Sequence, residues 1–221
     1  MGRGNPPQAF GNPFRLMATR RISIFPLPGA ILLPDMQLPL HIFEPRYRAL
    51  VGDALARDRM IGMIQPMGEG DNPPLFTVGC LGRIGDVEAL ADGRYNIVLE
   101  GLQRFTMLRE LEVNTPFRQI EAELWEEDET GETLSLGERA ALEAEARRFA
   151  DAQGYAVDWN SVSQLDDFSL VNVISQIAPF DVAAKQALLE SKGLATRNEL
   201  VIQLMQFFGR QDGFDDRMTL Q

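Results

Sequence analysis

Two residues are chemically singular in this chain: His41 is its only histidine and Cys80 its only cysteine. His41 lies in "LPLHIFEPRYRAL", Leu38 to Leu50, three residues before Glu44 and close to Arg46, Tyr47 and Arg48. An imidazole that titrates near neutrality, a carboxylate to orient it and a thiol to attack would suit a small-molecule hydrolase. That reading predicts His41 facing a cavity, with Cys80 or a carboxylate within hydrogen-bond reach. The structural alternative makes Cys80 a small buried hydrophobe in a strand, because nothing near it in sequence would depress its pKa. His41 is then a strand residue satisfied by a neighbour.

Other chemistries find less support. No serine stands in a G-x-S-x-G turn, and the only lysines are Lys185 and Lys192. Ser191 and Lys192 are adjacent at a helix end, where their side chains diverge. No GxxxxGK followed by Ser or Thr is present, so the Walker A phosphate loop is lacking. The glycines of "MGEGDNPP" and "VGCLGRIGD" do not lead into a helix N-terminus. One cysteine excludes an intramolecular disulfide and a multi-thiolate zinc site, and with one histidine a metal would need carboxylates almost alone. No residue is therefore assigned to catalysis, cofactor or metal, and no cofactor is expected.

Charge narrows the partners. The net charge is −11, from 32 acidic and 21 basic residues. Such a surface repels phosphate backbones and anionic lipid, so neither nucleic acid nor membrane is an expected partner. No stretch approaches the roughly 18 apolar residues of a membrane helix, and residues 1–20 lack the apolar core of a secretory signal. Those residues read as a flexible lead-in, with Phe10, Phe14, Leu16 and Met17 as possible anchors along the body. Thiol usage points to the cytoplasm.

The elements that must position these residues divide the chain in two. From 21 to 125 it reads as β. "RRISIFPL" is a strand, and "PLPGAILLP" is an irregular excursion because its prolines remove donors. "MQLPLHIF" alternates, with Leu38, Leu40 and Ile42 on one side. "EPRYRALVGDALARD" is a helix opened by Pro45, with Glu44 at the positive end of its dipole. Tyr47, Leu50, Val51 and Ala54 form its buried face, and Phe43 before it is expected to enter the core. Strand runs follow at "RMIGMIQP", "FTVGCLGRIGDVEAL", "RYNIVLEGLQRFTMLREL" and "FRQIEAELW". Asp92-Gly93 is a hairpin signal, and Gly79, Gly82, Gly85 and Gly101 suggest bulges or corners. Short antiparallel strands of this kind argue for a closed or half-closed barrel.

Residues 126–133 form an acidic linker, and 134–210 read as four amphipathic helices in a small bundle. Ser135 and Glu138 make a capping box for the first. The second, "DFSLVNVISQIA", is expected to be central. Asp181 caps the third, and a second box from Thr196 to Glu199 is expected to open the fourth, with Leu200, Leu204 and Phe208 as its stripe.

"FPLPGAILLPDMQLPLHIFEPRYRALV", Phe25 to Val51, resembles the opening motif of the Lon protease amino-terminal domain family, carried by Leu38, Pro39, Leu40, Ile42, Phe43, Glu44, Pro45, Arg46 and Tyr47. Gly79 in "VGCLGRI" is a second match. Asp92, Gly93, Arg94, Gly101, Arg104 and Phe105 in "DGRYNIVLEGLQRF" supply a third. The resemblance spans about Arg21 to Phe208 and implies an α+β fold, a PUA-like β pseudo-barrel followed by a C-terminal helical bundle, 21–210 forming one domain. It implies a bacterial, stand-alone, non-catalytic module without the family's ATPase or Ser/Lys peptidase. Its role is to engage unfolded polypeptide or a partner protein in quality control, as a monomer or weak dimer. PUA-like folds can also bind RNA, which the acidic charge opposes. Ile31, Leu32, Leu33 and Met36 are the candidate peptide contacts, being more apolar than an exposed loop requires. The alternative is that they fold back as core.

Overall fold

The structure, a computed structural model, describes residues 19–126 and 132–218, with side chains up to 210. Six strands come first: β1 (Thr19–Pro26), β2 (Gln37–Ile42), β3 (Met60–Pro66), β4 (Leu75–Ala89), β5 (Tyr95–Leu111) and β6 (Gln119–Leu124). Helix α1 (Pro45–Leu55) joins β2 to β3. The sheet order is β2-β5-β4-β3-β1-β6, and β5 pairs also with β6. That extra pairing closes β5, β4, β3, β1 and β6 into a ring and leaves β2 appended to β5. The long strands make closure possible: β4 has 15 residues and serves two neighbours, and β5 has 17 and serves three. Register shifts in β4 fall between Leu81 and Gly82 and between Ile84 and Val87, beside the glycines expected to mark corners.

One pairing departs from the antiparallel expectation. β1 runs parallel to β3, with Ile24 opposite Gly62. Parallel neighbours require a long crossover, and the excursion, β2 and α1 together provide it.

Inside the ring sits a compact core of Ile22, Ile24, Ile64, Leu75, Leu81, Phe105, Ile120 and Ala122. The larger core lies outside it and is shared with the helices, from Phe25 and Leu50 to Leu142, Phe149, Leu188 and Val201. One apolar body thus joins the β-rich and helical halves.

The helical half contains α2 (Leu136–Ala152), α3 (Trp159–Ser163), α4 (Asp167–Ile177), α5 (Val182–Glu190) and α6 (Leu194–Met218). Helices α2, α4 and α5 all pack against α6. α6 therefore holds the centre expected of α4, whose Ile177 is 73 % exposed. The Ser135–Glu138 capping box is present in both directions, and Asp181 caps α5 through the Ala184 N–H. Helix α3 was not expected; Asp158 caps it by accepting from Asn160 and Ser161.

The box from Thr196 to Glu199 does not form. Helix α6 begins at Leu194, whose N–H donates to Glu132 Oε2 at 2.6 Å. A carboxylate from the linker between β6 and α2 takes the capping role, so Thr196 lies within the helix. The buried stripe accordingly runs through Leu194, Val201 and Met205, while Leu200, Leu204 and Phe208 are only half-buried. The lead-in up to residue 18 and most of the acidic linker, 127–131, lie outside the described residues.

Candidate functional site

The opening motif is a strand-to-helix junction. Glu44 is the N-cap of α1 in extended conformation, as a residue before proline prefers, and Pro45 fills the first turn. Tyr47, Leu50, Val51 and Ala54 are buried as expected. Phe43 is not: it is 60 % exposed. Parity explains this. Leu38, Leu40 and Ile42 face inward, so Phe43 falls on the His41 side, where its ring stacks on the imidazole at 6.2 Å.

His41 is also exposed. Its Nδ1 lies 2.7 Å from Asn96 Oδ1 and its Nε2 lies 3.2 Å from an Arg94 nitrogen. Cys80 is fully buried in β4, opposite Met63 and Arg104. His41 pairs with Asn96 and Cys80 with Arg104, eight residues further along β5. At about 3.3 Å per residue that is roughly 26 Å of strand. Glu44 accepts from Arg46 Nε at 2.9 Å. The three residues of the hydrolase reading never meet.

The remaining motif residues tie segments together. Asp92 accepts from Arg94 N at 3.1 Å, and this bond holds its carboxyl below the usual carboxylate range. Gly93 turns the hairpin at φ +79°, with Arg48 packed where a side chain would stand. At Gly101 the excursion crosses the sheet: Gly101 N donates to Met36 O at 2.8 Å, and its own carbonyl accepts from Asp35 N at 3.0 Å. A Cβ at Gly101 would overlap the Leu33 carbonyl. Arg104 is buried and donates to Ser191 O at 2.6 Å, fastening β5 to the end of α5. Phe105 fills the ring core.

The excursion does not present its apolar residues to a ligand. Ile31, Leu32 and Leu33 are within 2 % of full burial and belong to the shared core; Met36 is half-buried against it. The core alternative holds for the first three because the excursion lies flat over β5 at Gly101.

A cleft opens elsewhere, with a volume of about 810 Å³. Its walls come from three connections and two helix starts: the end of β1 (Pro26, Pro28), the β3–β4 loop (Pro66 to Pro73, then Phe76), the turn before β6 (Pro116, Phe117, Arg118), the start of α1 (Arg46, Tyr47) and the start of α5 (Val182, Ala183). It lies where the β-rich half meets the helical half. Tyr47 stands edge-on to Phe25 at 4.2 Å, and its hydroxyl donates to Pro26 O at 3.3 Å. Burial pushes the Tyr47 phenol up, against the opposing pull of the Arg46 charge.

Beneath the cleft lies a polar knot. Gln65, fully buried, accepts from Gly29 N at 3.0 Å and donates to Val182 O at 3.0 Å and to Gln186 Oε1 at 3.1 Å. Gln186 donates on to Val78 O at 3.1 Å. Sequence reasoning missed this pair and the cleft walls. The available signal was the density of prolines in "QPMGEGDNPP" and "NTPF", segments that only the topology brings together. Among the described residues no His, Cys, Asp or Glu cluster could hold a metal, and no helix is long and apolar enough to cross a membrane.

The closed strand ring, its helical half on one shared core and the cleft between them define the chain as an α+β domain. It belongs to the family of the ATP-dependent protease La (LON) substrate-binding domain, whose model matches residues 21–206. Among sequences, it is 27 % identical over 197 residues to Lon protease 2 of Myxococcus xanthus, covering 83 % of this chain and 23 % of that protein. It is 36 % identical over 89 residues to Lon protease 2 of Sorangium cellulosum, covering 38 % of this chain and 11 % of that one. The chain thus spans less than a quarter of the length of these curated relatives. Its fold is similar to that of the Lon N-terminal domain protein from Xanthomonas campestris, with a TM-score of 0.63 and 20 % identity over 83 % of this chain and 98 % of that one. The N-terminal domain of Mycobacterium avium complex Lon protease gives a TM-score of 0.60 at 19 % identity, covering 85 % and 98 %.

Proposed function

We propose that this chain is a non-catalytic polypeptide-binding module of proteolysis-linked protein quality control, and that the 810 Å³ cleft is where a client segment docks. The observation that carries this is the cleft itself, a largely apolar hollow between the two halves of a substrate-binding-family domain. Its prolines and aromatic rings suit an extended apolar segment, which brings side chains rather than a charged head group. The strand ring corresponds to the PUA-like pseudo-barrel and α2–α6 to the helical bundle that the resemblance implies. The protein acts in the cytoplasm as a monomer or weak dimer, and its charge of −11 disfavours RNA and anionic membranes.

Photo-crosslinking tests the reading. Benzophenone introduced at Phe76 or Val182 is expected to capture unfolded polypeptide, and the same group at exposed Leu108 is not. Equal capture at all three positions, or none at any, would refute the assignment. The hydrolase reading is set aside because His41 and Cys80 lie far apart, on β2 and β4, opposite residues of β5 eight positions apart.

A further inference from the structure

The cleft carries more information than its apolar walls. Among the described residues its lining cations are Arg46 and Arg118, each matched by a carboxylate beside it. Arg46 Nε donates to Glu44 at 2.9 Å and its Nη1 to Asp71 O at 3.3 Å. Arg118 grips Glu110 through two bonds, Nε to Oε1 at 2.7 Å and Nη2 to Oε2 at 2.6 Å, and gives Nη1 to Pro73 O at 2.9 Å. The Arg118 hydrogen bond holds the Glu110 carboxyl below the usual range, so this pair stays ionised at neutral pH. Arg118, engaged through all three of its nitrogens, has little left for an anionic ligand, and the charge of Arg46 is matched by Glu44.

The carboxylates of the lining stand differently. Glu69 and Asp71 lie on the exposed β3–β4 loop at the cleft mouth. Among the described residues, neither side chain forms a hydrogen bond or an ion pair. Two guanidinium groups therefore face four carboxylates, and the mouth carries a surplus of two negative charges. Several wall residues, Pro28, Pro73 and Pro116 among them, have no N–H to offer. The surplus of carboxylates favours a ligand that brings positive charge.

From this we infer that the cleft selects extended apolar segments carrying lysine or arginine beside the apolar residues, the apolar side chains entering between Tyr47, Phe76 and Phe117 and the cation meeting Glu69 and Asp71. The inference rests on the polypeptide-binding reading above and names its client class. Charge complementarity at a partly screened mouth gives selectivity more than raw affinity.

The test uses the full chain and three fluorescent peptides sharing one apolar core, flanked by two lysines, two glutamines or two glutamates. Anisotropy is read at 50 and 200 mM salt. The lysine peptide is expected to bind about tenfold more tightly than the glutamate peptide at low salt, with the ratio falling at high salt. Glu69→Gln/Asp71→Asn should bring the ratio near one and leave the glutamine peptide unaffected. Asp151→Asn/Glu199→Gln removes the same charge from exposed sites on α2 and α6 and should leave the ratio unchanged. Equal binding of all three peptides, tighter binding of the glutamate peptide, or loss of the ratio in both double variants would overturn the inference while the polypeptide-binding reading stands. Failure of all three peptides to bind would overturn both.

Discussion

Replacing Gln65 with methionine should loosen the cleft by stranding its underlying knot. Methionine conserves the volume but offers no donor and only a weak acceptor. Three partners lose their bond: the Gly29 N–H, the Val182 carbonyl and the Gln186 amide. A buried group left unsatisfied costs about 1–3 kcal/mol. Gln186 is 3 % exposed and bears that in full, whereas Gly29 and Val182 are half-buried and recover part of it from water. The sum is about 3 kcal/mol. A chain of this size loses about 2–4 °C per kcal/mol, so the melting temperature should fall by roughly 6–12 °C. Thermal unfolding followed by circular dichroism reads this directly. Because the two glutamines bond each other, Gln65→Met and Gln186→Met should be non-additive by at least about 0.5 kcal/mol. A fall below about 2 °C, or strict additivity, would refute the view that this knot joins the halves.

Three further outcomes follow from the same geometry. Tyr47→Ala removes a buried ring and should cost about 3 kcal/mol in urea unfolding, whereas Phe43→Ala, at an exposed ring, should stay within about 0.5 kcal/mol. Gly101→Ala places a methyl against the Leu33 backbone and should destabilise by about 1–3 kcal/mol, since a carbonyl in a hydrogen-bonded crossing cannot swing aside. Asp166 caps α4 by accepting from Ser169 N at 2.7 Å, which lowers its carboxyl pKa. Its contribution is full above the unfolded value of about 3.9 and is lost as pH falls through the depressed folded value. Asp166→Asn keeps a cap without that loss, so the wild-type advantage in melting temperature should shrink between pH 5 and pH 2.5.

Local stereochemistry was legible in the sequence, and long-range partners were not. Pro45 after an extended Glu44 marks a helix start by sterics alone, and the Ser135–Glu138 box closes within one turn. Asp92-Gly93 announces its hairpin because few residues accept φ near +79°. Thr196 and Glu199 satisfied the same local pattern as Ser135 and Glu138, yet Glu132 reached the helix start first. A cap delivered from 62 residues away leaves no mark at the site it serves. Phe43 shows a related failure: its hydrophobicity suggested burial, but the two-residue period of β2 had already assigned it to the outer face. The parallel pairing of β1 with β3 is likewise a property of the crossover and not of either strand.

The candidate site inverts the usual relation between motif and function. The motif residues that give the resemblance hold the fold, each by a demand few side chains can meet. Gly101 lets the excursion touch the sheet, and Arg104 reaches the α5 carbonyls across the boundary between halves. An apolar wall makes no such demand, because several aliphatic or aromatic residues would line it equally well. Nor does an unpaired carboxylate at a loop mouth, which in an acidic chain looks like any solvated charge. The cleft therefore had no recognisable spelling in the sequence. It exists because the connections of the strand ring converge against the start of α5, and its chemistry is that of loops held in place by a fixed scaffold. On the proposed function, changes in the β3–β4 loop would alter which segment is held without touching the motif that builds the fold.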